Sequence, residues 1–324
     1  MCGVAFLRDP TKPAEDLQRS MAAALEALRH RGPDEGGAWA NSGTVVGHRR
    51  LSIIDLRGSQ QPMVDPSGRY VLSFNGEIYN YKSLRRALSS RWTFKTDGDT
   101  EVVLAALVLD GPEAFSSFDG MWALALWDEK SQELLLSRDR MGEKPLYYSD
   151  SDTSFACASE LPALRHLVPS WLEDIDSTAD YFRYGFYLPG TTAYKGIHEV
   201  LPGHYLQWRD GKRKEIRYWS LPTARFSGSR AEACEALRDA IERAVRSQLV
   251  ADVEVGTFLS GGIDSSLITG IASRAGKIKT FTIGFDTASF DERPYARRLA
   301  EHFQTAHYDE QLRGLHRDQL LSLL

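Results

Sequence analysis

The stretch VEVGTFLSGGIDSSLITGIASRAG, residues 253–276, decides the fold of the C-terminal part of the chain. It reads as an apolar strand, a loop of serine, glycine and aspartate, and then a helix. A helix at 232–249 precedes it, and a strand at 280–285, a helix at 291–303 and a short strand at 306–310 follow it. Strands that alternate with helices predict a parallel sheet with helices on its faces.

This second part of the chain is short for its class. It has three predicted strands, whereas parallel sheets usually have five or six with both faces buried. The last element, LRGLHRDQLLSLL, carries Leu312, Leu315, Leu320 and Leu323 and needs a covering surface. We therefore expect a domain that is cut off part-way.

The part of the chain before residue 219 has a different pattern. A helix is predicted over Pro13–Leu28 from apolar residues at helical spacing, and another at 101–111. Strand-like segments dominate the rest, and Asp210-Gly211 is a strong hairpin turn signal. The polar stretch WSLPTARFSGSR then reads as a linker. We predict a strand-rich domain at 1–218, a linker at 219–230 and the partial α/β domain at 231–324.

The overall composition excludes several classes of function. The 324 residues include 39 basic and 44 acidic side chains, a formal net charge of −5, and no long basic run. Nucleic acid is therefore not expected as a partner. No apolar run is long enough for a membrane span and the start lacks the pattern of a signal peptide, so a cytoplasmic protein is expected.

The three cysteines, Cys2, Cys157 and Cys234, lack the spacing of a metal site or a disulfide framework. Cys157 and Cys234 are predicted to be packing residues, because free cysteine behaves as a small hydrophobe. Cys2 is different: removal of Met1 would give it both a thiol and a free α-amine. An amine with a pKa near 8 can accept the thiol proton, so one residue would hold a nucleophile and its base. Alone, the same pattern also fits a small residue buried in the first strand.

Further motifs follow Cys2 in a fixed order: MCG, RHRGPDEGG, HRRLSIIDL, FNGEIYN, TDGDTEV and RDRMGEKPLYY. In this order they resemble the glutaminase domain of the glutamine-hydrolysing asparagine synthetases, which are class II N-terminal-nucleophile amidotransferases. The resemblance extends over nearly the whole chain. It implies an αββα sandwich of two antiparallel sheets, followed by part of a doubly wound ATP-pyrophosphatase domain.

The resemblance also implies a role for individual residues. Cys2 is the family's nucleophile towards the side-chain amide of glutamine, and Asn75 and Gly76 form the oxyanion hole. The glutamine-binding residues are Arg50 for the α-carboxylate, Glu77 and Asp99 for the α-ammonium, and the stretch from Leu51 to Ile54. Without the resemblance, these charged residues would be interpreted as surface charges. Arg138 and Asp139 are predicted to form a structural ion pair.

The loop SGGIDSS lies between a predicted strand and a predicted helix, where backbone N–H groups can bind phosphate. It resembles the SGGxDS loop of ATP-pyrophosphatases, so Ser260, Gly261, Gly262, Asp264 and Ser265 are assigned to ATP, Asp264 through Mg²⁺ and the pyrophosphate. Two more residues, Leu259 and Ile283, match positions that flank the adenosine, although they also fit a plain strand core. No redox cofactor is expected.

Together, the resemblances of the Cys2 motifs and of the SGGIDSS loop imply ATP-dependent amidation of aspartate by ammonia that crosses an internal tunnel. They are compatible with a homodimer. The later metal-binding segment of the family is missing from this chain, which puts the synthetase step in doubt. Two alternatives stay open: an amidotransferase that acts on another carboxylate, and a remnant that binds a complementary chain. The branch that uses phosphoribosyl pyrophosphate shares Met-Cys-Gly, but the SGGIDSS loop argues against it.

Overall fold

A computed structural model describes residues 1–312 of the chain. The predicted last element lies outside the described residues, apart from Leu312. The chain divides into two compact units, Met1–Thr223 and Ala224–Leu324.

The first unit consists of two antiparallel sheets and their covering helices. Its strands are β1 Gly3–Arg8, β2 Glu35–Asn41, β3 Thr44–Arg50, β4 Met63–Val64, β5 Tyr70–Ile78, β6 Gly120–Asp128, β7 Glu133–Arg138, β8 Tyr147–Asp150, β9 Phe155–Ala158, β10 His198–Glu199, β11 His204–Arg209 and β12 Lys212–Arg217. Its α-helices are α1 Ala14–Ala27, α2 Tyr81–Leu88, α3 Asp99–Asp110, α4 Leu161–Leu164 and α5 Ile175–Tyr184. One sheet has the order β10-β8-β9-β1-β3-β2, and the other has the order β12-β11-β7-β6-β5-β4.

The core lies between the two sheets, because alternate side chains of each strand point inwards. Phe6 of the first sheet meets Trp127 of the second with 5.6 Å between ring centroids, and both are fully buried. On the outer face of the first sheet, α1 and α4 cover a second apolar cluster that includes Leu17 and Met21. The helices α2 and α3 pack together, and α3 packs against β5 of the other sheet. The predicted αββα layers are confirmed.

The inward rows of three strands end at the same place. Inward positions on β1 and β3 include Phe6, Val4 and Val46, and the next members of those rows are Cys2, His48 and Arg50. On β5 the row through Val71 and Ser73 continues to Asn75 and Glu77. A period of two therefore brings thiol, guanidinium, amide and carboxylate to one end of the sandwich.

The second unit has the predicted parallel sheet. Its elements are α6 Arg230–Ser247, β13 Gly256–Phe258, α7 Ile263–Ala275, β14 Lys279–Phe285, α8 Arg293–Phe303 and β15 Ala306–Leu312, with the strand order β13-β14-β15. Thr257 contacts α7, and Gly284 on the same side of the sheet approaches Arg293 of α8. The opposite side of β14 exposes Phe281, Ile283 and Phe285. Within the described residues, α7 and α8 thus cover one face of the sheet.

Three details differ from expectation. The proline and glycines of RHRGPDEGG predict a break in the chain after the first helix. Gly36 and Gly37 instead lie in β2, where a Cβ on Gly37 would meet the carbonyl oxygen of Gln61 at 2.5 Å. Cys157 is buried as predicted, whereas Cys234 is exposed because α6 buries no side chain within the described residues. The predicted ion pair between Arg138 and Asp139 is wrong: Arg138 is the last residue of β7, and the two side chains bind different partners.

Arg138 pairs instead with Glu199, with 2.6 Å between Nη1 and the carboxylate. Asp139 accepts hydrogen bonds from the backbone N–H groups of Met141, Glu143 and Lys144. Both residues therefore fix the turn that follows β7.

Candidate functional site

A cavity of about 220 Å³ opens where the inward rows end. All eight residues that the resemblance assigns to the nucleophile, the oxyanion hole and glutamine line it: Cys2, Arg50, Leu51, Ile54, Asn75, Gly76, Glu77 and Asp99. Ile53, within the assigned stretch from Leu51 to Ile54, lines it too, and so do seven residues that the sequence did not assign to this site: Met1, Ser59, Gln61, Phe74, Thr100, Met121 and Lys144. Residues from four separate motifs thus converge on one space.

Cys2 is held through its backbone at the edge of this cavity. Its N–H donates to Asn75 Oδ1 at 3.0 Å, and its carbonyl oxygen accepts from Arg31 Nε at 2.9 Å. The backbone N–H of Leu51 points to Sγ at 3.4 Å. Burial raises the pKa of the Cys2 thiol, and the hydrogen bond from Leu51 and the charge of Arg50 act in the opposite direction.

Arg31 anchors the start of the chain to the end of the first sheet. Its guanidinium is buried, and Nη1 lies 2.7 Å from Glu160 while Nε holds the carbonyl oxygen of Cys2. A planar fork can make both contacts at once. RHRGPDEGG therefore contributes a side chain that fixes the backbone of Cys2, in addition to its turn residues Gly32 and Pro33.

Asn75 presents an unused donor to the cavity. Its side chain is 1% exposed, and Nδ2 has no hydrogen-bond partner among the described residues. Buried polar groups are almost always paired, so an orphaned amide N–H indicates a place for a ligand acceptor. Gly76 has no room for a side chain, because a Cβ there would lie 2.2 Å from the carbonyl oxygen of Met121.

Arg50 organises the loop that follows β3. Its Nη2 donates to the carbonyl oxygens of Ile54 and Asp55, at 3.3 and 2.7 Å. Nη1 reaches the carboxylate of Glu35, its cross-strand neighbour, at 3.2 Å. The guanidinium thus holds the stretch from Leu51 to Ile54 against the cavity.

The same loop is tied to the start of α3. Asp55 Oδ2 accepts from Ser59 Oγ and from the backbone N–H of Asp97, at 3.0 and 3.1 Å. Gly98 fits closely here, since a Cβ would lie 2.0 Å from Ser59 Oγ. Asp99 follows directly and is the first residue of the helix.

Asp99 and Glu77 form the acidic side of the cavity. Burial raises the pKa of Asp99 to about 7, although its Oδ2 accepts from the backbone N–H of Ile78 at 3.0 Å. Burial also raises the pKa of Glu77, and the nearby charge of Lys144 partly offsets this rise. Two carboxyl groups that are costly to ionise suit a cationic ligand group, which would favour their charged forms.

Lys144 is the main functional candidate that sequence reasoning missed. It belongs to RDRMGEKPLYY, a motif whose glycine and proline are explained by a tight turn alone. The residue is 8% exposed and lines the cavity beside Cys2 and Glu77. A lysine between the turn glycine and a proline could have drawn attention, because long cations are rarely buried without a function.

In the second unit, the loop 260–265 is closed by its own side chains. Ser260 Oγ and Ser265 Oγ lie 2.9 Å apart, and the backbone N–H of Gly262 donates to Ser260 Oγ at 3.3 Å. Gly261 has φ +87°, and a Cβ there would meet the Cβ of Tyr295 at 2.6 Å. The loop leads into α7, whose first turn has no side-chain cap and carries Asp264.

The two residues assigned to adenosine are placed apart. The side chain of Leu259 is buried with Ala296 and Ala300 under α8, whereas Ile283 is 58% exposed on the opposite face of the sheet. Within residues 1–312, no group of three or more His, Cys, Asp or Glu side chains could hold a metal ion. No helix of this described part is long and apolar enough to cross a membrane.

Two known protein families match the chain, one in each of the two units. Residues 1–219 match the family described as "Glutamine amidotransferase domain". Residues 236–318 match the family described as "Asparagine synthase".

Three similar proteins, two named asparagine synthetases and one named an amidase, match most of the chain. The chain is 34% identical to "Asparagine synthetase [glutamine-hydrolyzing] 3" of Bacillus subtilis over 331 residues, which cover 95% of this chain and 54% of that protein. It is 30% identical to "Asparagine synthetase B [glutamine-hydrolyzing]" of Escherichia coli, with 95% and 54% covered. "Amidase chry2" of Gibberella zeae is 34% identical, with 93% and 49% covered. The chain thus spans about half the length of these relatives.

A solved structure, described as the allosteric regulatory enzyme of purine biosynthesis, resembles the chain with a TM-score of 0.51 at 16% identity. The match covers 96% of this chain and 80% of that one. At this identity the likeness concerns the fold.

Proposed function

The chain belongs to the glutamine amidotransferase domain family, and on that premise we propose that it hydrolyses glutamine at Cys2 to supply ammonia for ATP-dependent amide formation. The observation that carries the proposal is the cavity, where a held cysteine, an orphaned amide donor and buried opposite charges meet. A metal-free acyl transfer needs these groups in one place.

Removal of Met1 would free the nitrogen of Cys2 as an α-amine, making Cys2 an N-terminal nucleophile. The amine takes the proton from Sγ, and the sulfur attacks the side-chain carbonyl carbon of glutamine. Asn75 Nδ2 and the N–H of Gly76 stabilise the oxyanion. When the tetrahedral intermediate collapses, the C–N bond breaks and the amine returns the proton to the departing ammonia. Water then attacks the thioester in the same way, and glutamate leaves with Cys2 restored.

The rest of the cavity would bind the amino-acid end of glutamine. Arg50 would take the α-carboxylate, with the stretch from Leu51 to Ile54 beside it. Asp99 and Glu77 would take the α-ammonium. The buried carboxyl groups gain most from such a partner, because a cation returns the stability that burial removes from their charged forms.

For the second unit we propose ATP as a substrate of the loop 260–265. Ser260, Gly261, Gly262 and Ser265 present backbone and hydroxyl groups at the start of α7, which suits phosphate. Mg²⁺ would reach the protein through Asp264 and the pyrophosphate oxygens, a mode that needs few protein ligands. Leu259 could contribute only backbone to an adenosine site, and Ile283 its exposed side chain.

The amide acceptor proposed is aspartate, as the names of two relatives suggest, in a cytoplasmic enzyme that forms a homodimer. The three cysteines are free, which suits a reducing compartment. The proposed division is a glutaminase domain at 1–218, a linker at 219–230 and the synthetase part at 231–324. A different carboxylate is the second candidate, since one relative of similar identity is named an amidase.

Glutamate release from glutamine by the purified protein tests the proposal. Cys2→Ala should abolish the release, and Cys234→Ser, at an exposed cysteine, should not. Intact mass spectrometry must first show that Met1 has been removed. Turnover that survives Cys2→Ala, or its absence from the processed folded protein, would reject the glutaminase.

Parallel samples with ATP, Mg²⁺ and aspartate test the second step through asparagine and pyrophosphate. For the loop itself, ATP should protect the second unit from limited proteolysis, and Gly261→Ala should abolish the protection because its Cβ has no space. The matched control is Gly276→Ala, where a Cβ would meet nothing within 4 Å. Equal protection of both variants would remove the loop from the site.

A further inference from the structure

The backbone of Lys144 is held at the cavity by hydrogen bonds to both its N–H and its carbonyl oxygen. Its N–H donates to Asp139 Oδ2 at 3.0 Å, and its carbonyl oxygen accepts from Arg138 Nε at 2.8 Å. Both partners are buried, and Arg138 is itself held by Glu199. The turn after β7 therefore fixes the backbone from which the lysine side chain starts.

The ammonium group of Lys144 lacks a direct partner. Among the described residues it makes no hydrogen bond and no ion pair within 4 Å, although the residue is 8% exposed. Burial lowers the pKa of Lys144, and the carboxylate of Glu77 acts against that shift. An unpaired buried cation is costly, so its retention at a cavity indicates that the charge acts on a neighbouring group.

The charged and titratable groups that face the chain start come from four elements. Arg31 follows α1, Glu77 lies on β5, Lys144 follows β7, and the Cys2 thiol precedes β1. In the chain that keeps Met1, burial lowers the pKa of the Met1 amine, and the charges of Arg31 and Lys144 lower it further, while Cys2 and Glu77 raise it. Lys144 lines the same cavity as Met1 and Cys2, so the amine that removal of Met1 exposes one residue further along lies at the same cavity. Arg31 is already in an ion pair with Glu160, whereas Lys144 forms no ion pair within 4 Å among the described residues and feels the carboxylates of Glu77, Glu143 and Asp139 only at longer range.

We propose that Lys144 is a positioning residue that keeps the α-amine of the processed Cys2 uncharged, so that it can accept the thiol proton. The inference rests on the proposed glutaminase function. An uncharged amine takes the proton from Sγ and holds it as an ammonium until ammonia leaves. A nearby cation disfavours the ammonium form at rest, so more of the enzyme is competent at neutral pH.

Lys144→Met tests this through the pH dependence of glutamine kcat/KM. Loss of the cation should raise the pKa of the amine, so the acid limb should move up by about one pH unit. At a pH below both limbs, kcat/KM should then fall about tenfold, while the alkaline plateau stays close to that of the parent protein. Lys144→Arg keeps the charge and should keep the limb in place. Lys130→Met, at an exposed lysine in the turn between β6 and β7, is the control for loss of a positive charge.

A second measurement does not depend on turnover. In a Cys234→Ser background, the pH dependence of Cys2 alkylation by iodoacetamide should shift in Lys144→Met as well. If the parent is active and Lys144→Met and Lys144→Arg have identical pH profiles, the proposed role of Lys144 is overturned, while the glutaminase function stands. A parent without Cys2-dependent turnover would instead reject the glutaminase. If Lys144→Met unfolds, and Lys144→Arg folds but its acid limb has moved, the role of Lys144 is steric. This result would also overturn the inference.

Discussion

The backbone N–H of Cys2 donates to Oδ1 of Asn75 at 3.0 Å, which joins two residues that are 73 positions apart in the chain. The oxygen of the Asn75 side chain thus holds the nitrogen that would become the α-amine. The other end of the same amide, Nδ2, is buried and has no partner among the described residues. One side chain therefore fixes the backbone of Cys2, the proposed nucleophile, and presents a donor at the cavity.

Asn75→Asp should reduce kcat for glutamine hydrolysis about 100- to 1,000-fold, because it keeps an acceptor for Cys2 but removes the amide donor for the oxyanion. KM should change little, since the lost contact forms mainly in the transition state. Steady-state kinetics of glutamate release measure both. Asn41→Asp, at an exposed asparagine, should behave like the parent protein. A normal kcat in Asn75→Asp would assign the oxyanion to other donors.

Asp99 should make the stability of the first unit depend on pH. Its pKa is raised by burial to about 7, above the usual value of 3.8. Between these values the folded protein holds a proton that the unfolded chain has lost, so the free energy of unfolding should fall by about 1.4 kcal/mol per pH unit as pH rises. Urea unfolding between pH 4.5 and 6.5 measures this slope. Asp99→Asn should flatten the curve, whereas Asp97→Asn controls for the loss of an exposed carboxylate.

Arg31→Lys should lower kcat about tenfold, which corresponds to ~1.4 kcal/mol in the barrier. A lysine cannot contact both the carbonyl oxygen of Cys2 and Glu160, so the backbone of Cys2 would lose its anchor. KM should stay close to the parent value, because Arg31 does not line the cavity. The control is Arg29→Lys, which changes an exposed pair with Glu26. A large rise in KM with unchanged kcat would mean that Arg31 acts on substrate binding instead.

Local pattern was sufficient for much of the fold. The alternation of strand, loop and helix from residue 253 predicted the parallel β13-β14-β15 sheet, because each element is defined by a short apolar period. The hairpin at Asp210-Gly211 was equally clear, since both residues adopt positive φ. The strand β2 was missed, because its two glycines serve a close approach to Gln61 that only the tertiary structure shows.

The cavity was predictable through motifs rather than through physics alone. A residue such as Asp99 appears in the sequence as an ordinary acidic helix start, and its burial depends on packing among α3, β5 and the loop after β3. Lys144 was missed for the related reason that its motif has a sufficient explanation as a turn. Backbone contacts from Arg138 and Asp139, which aim the side chain, have no signal in the sequence.

Gly76→Ala should destabilise the first unit by more than about 2 kcal/mol, because the new Cβ would meet the backbone of Met121 and Trp122 at 2.2 and 2.8 Å. Backbone cannot yield as a flexible side chain can, so β5 would have to move away from β6. All seven tryptophans lie before residue 220, so their fluorescence during urea unfolding reports this unit alone. Gly36→Ala is the matched control, because its Cβ would meet only the flexible end of Arg49. Equal unfolding midpoints for the two variants would show that β5 tolerates a side chain at Gly76, and the glycine would then be explained by the approach of a ligand oxygen to its N–H.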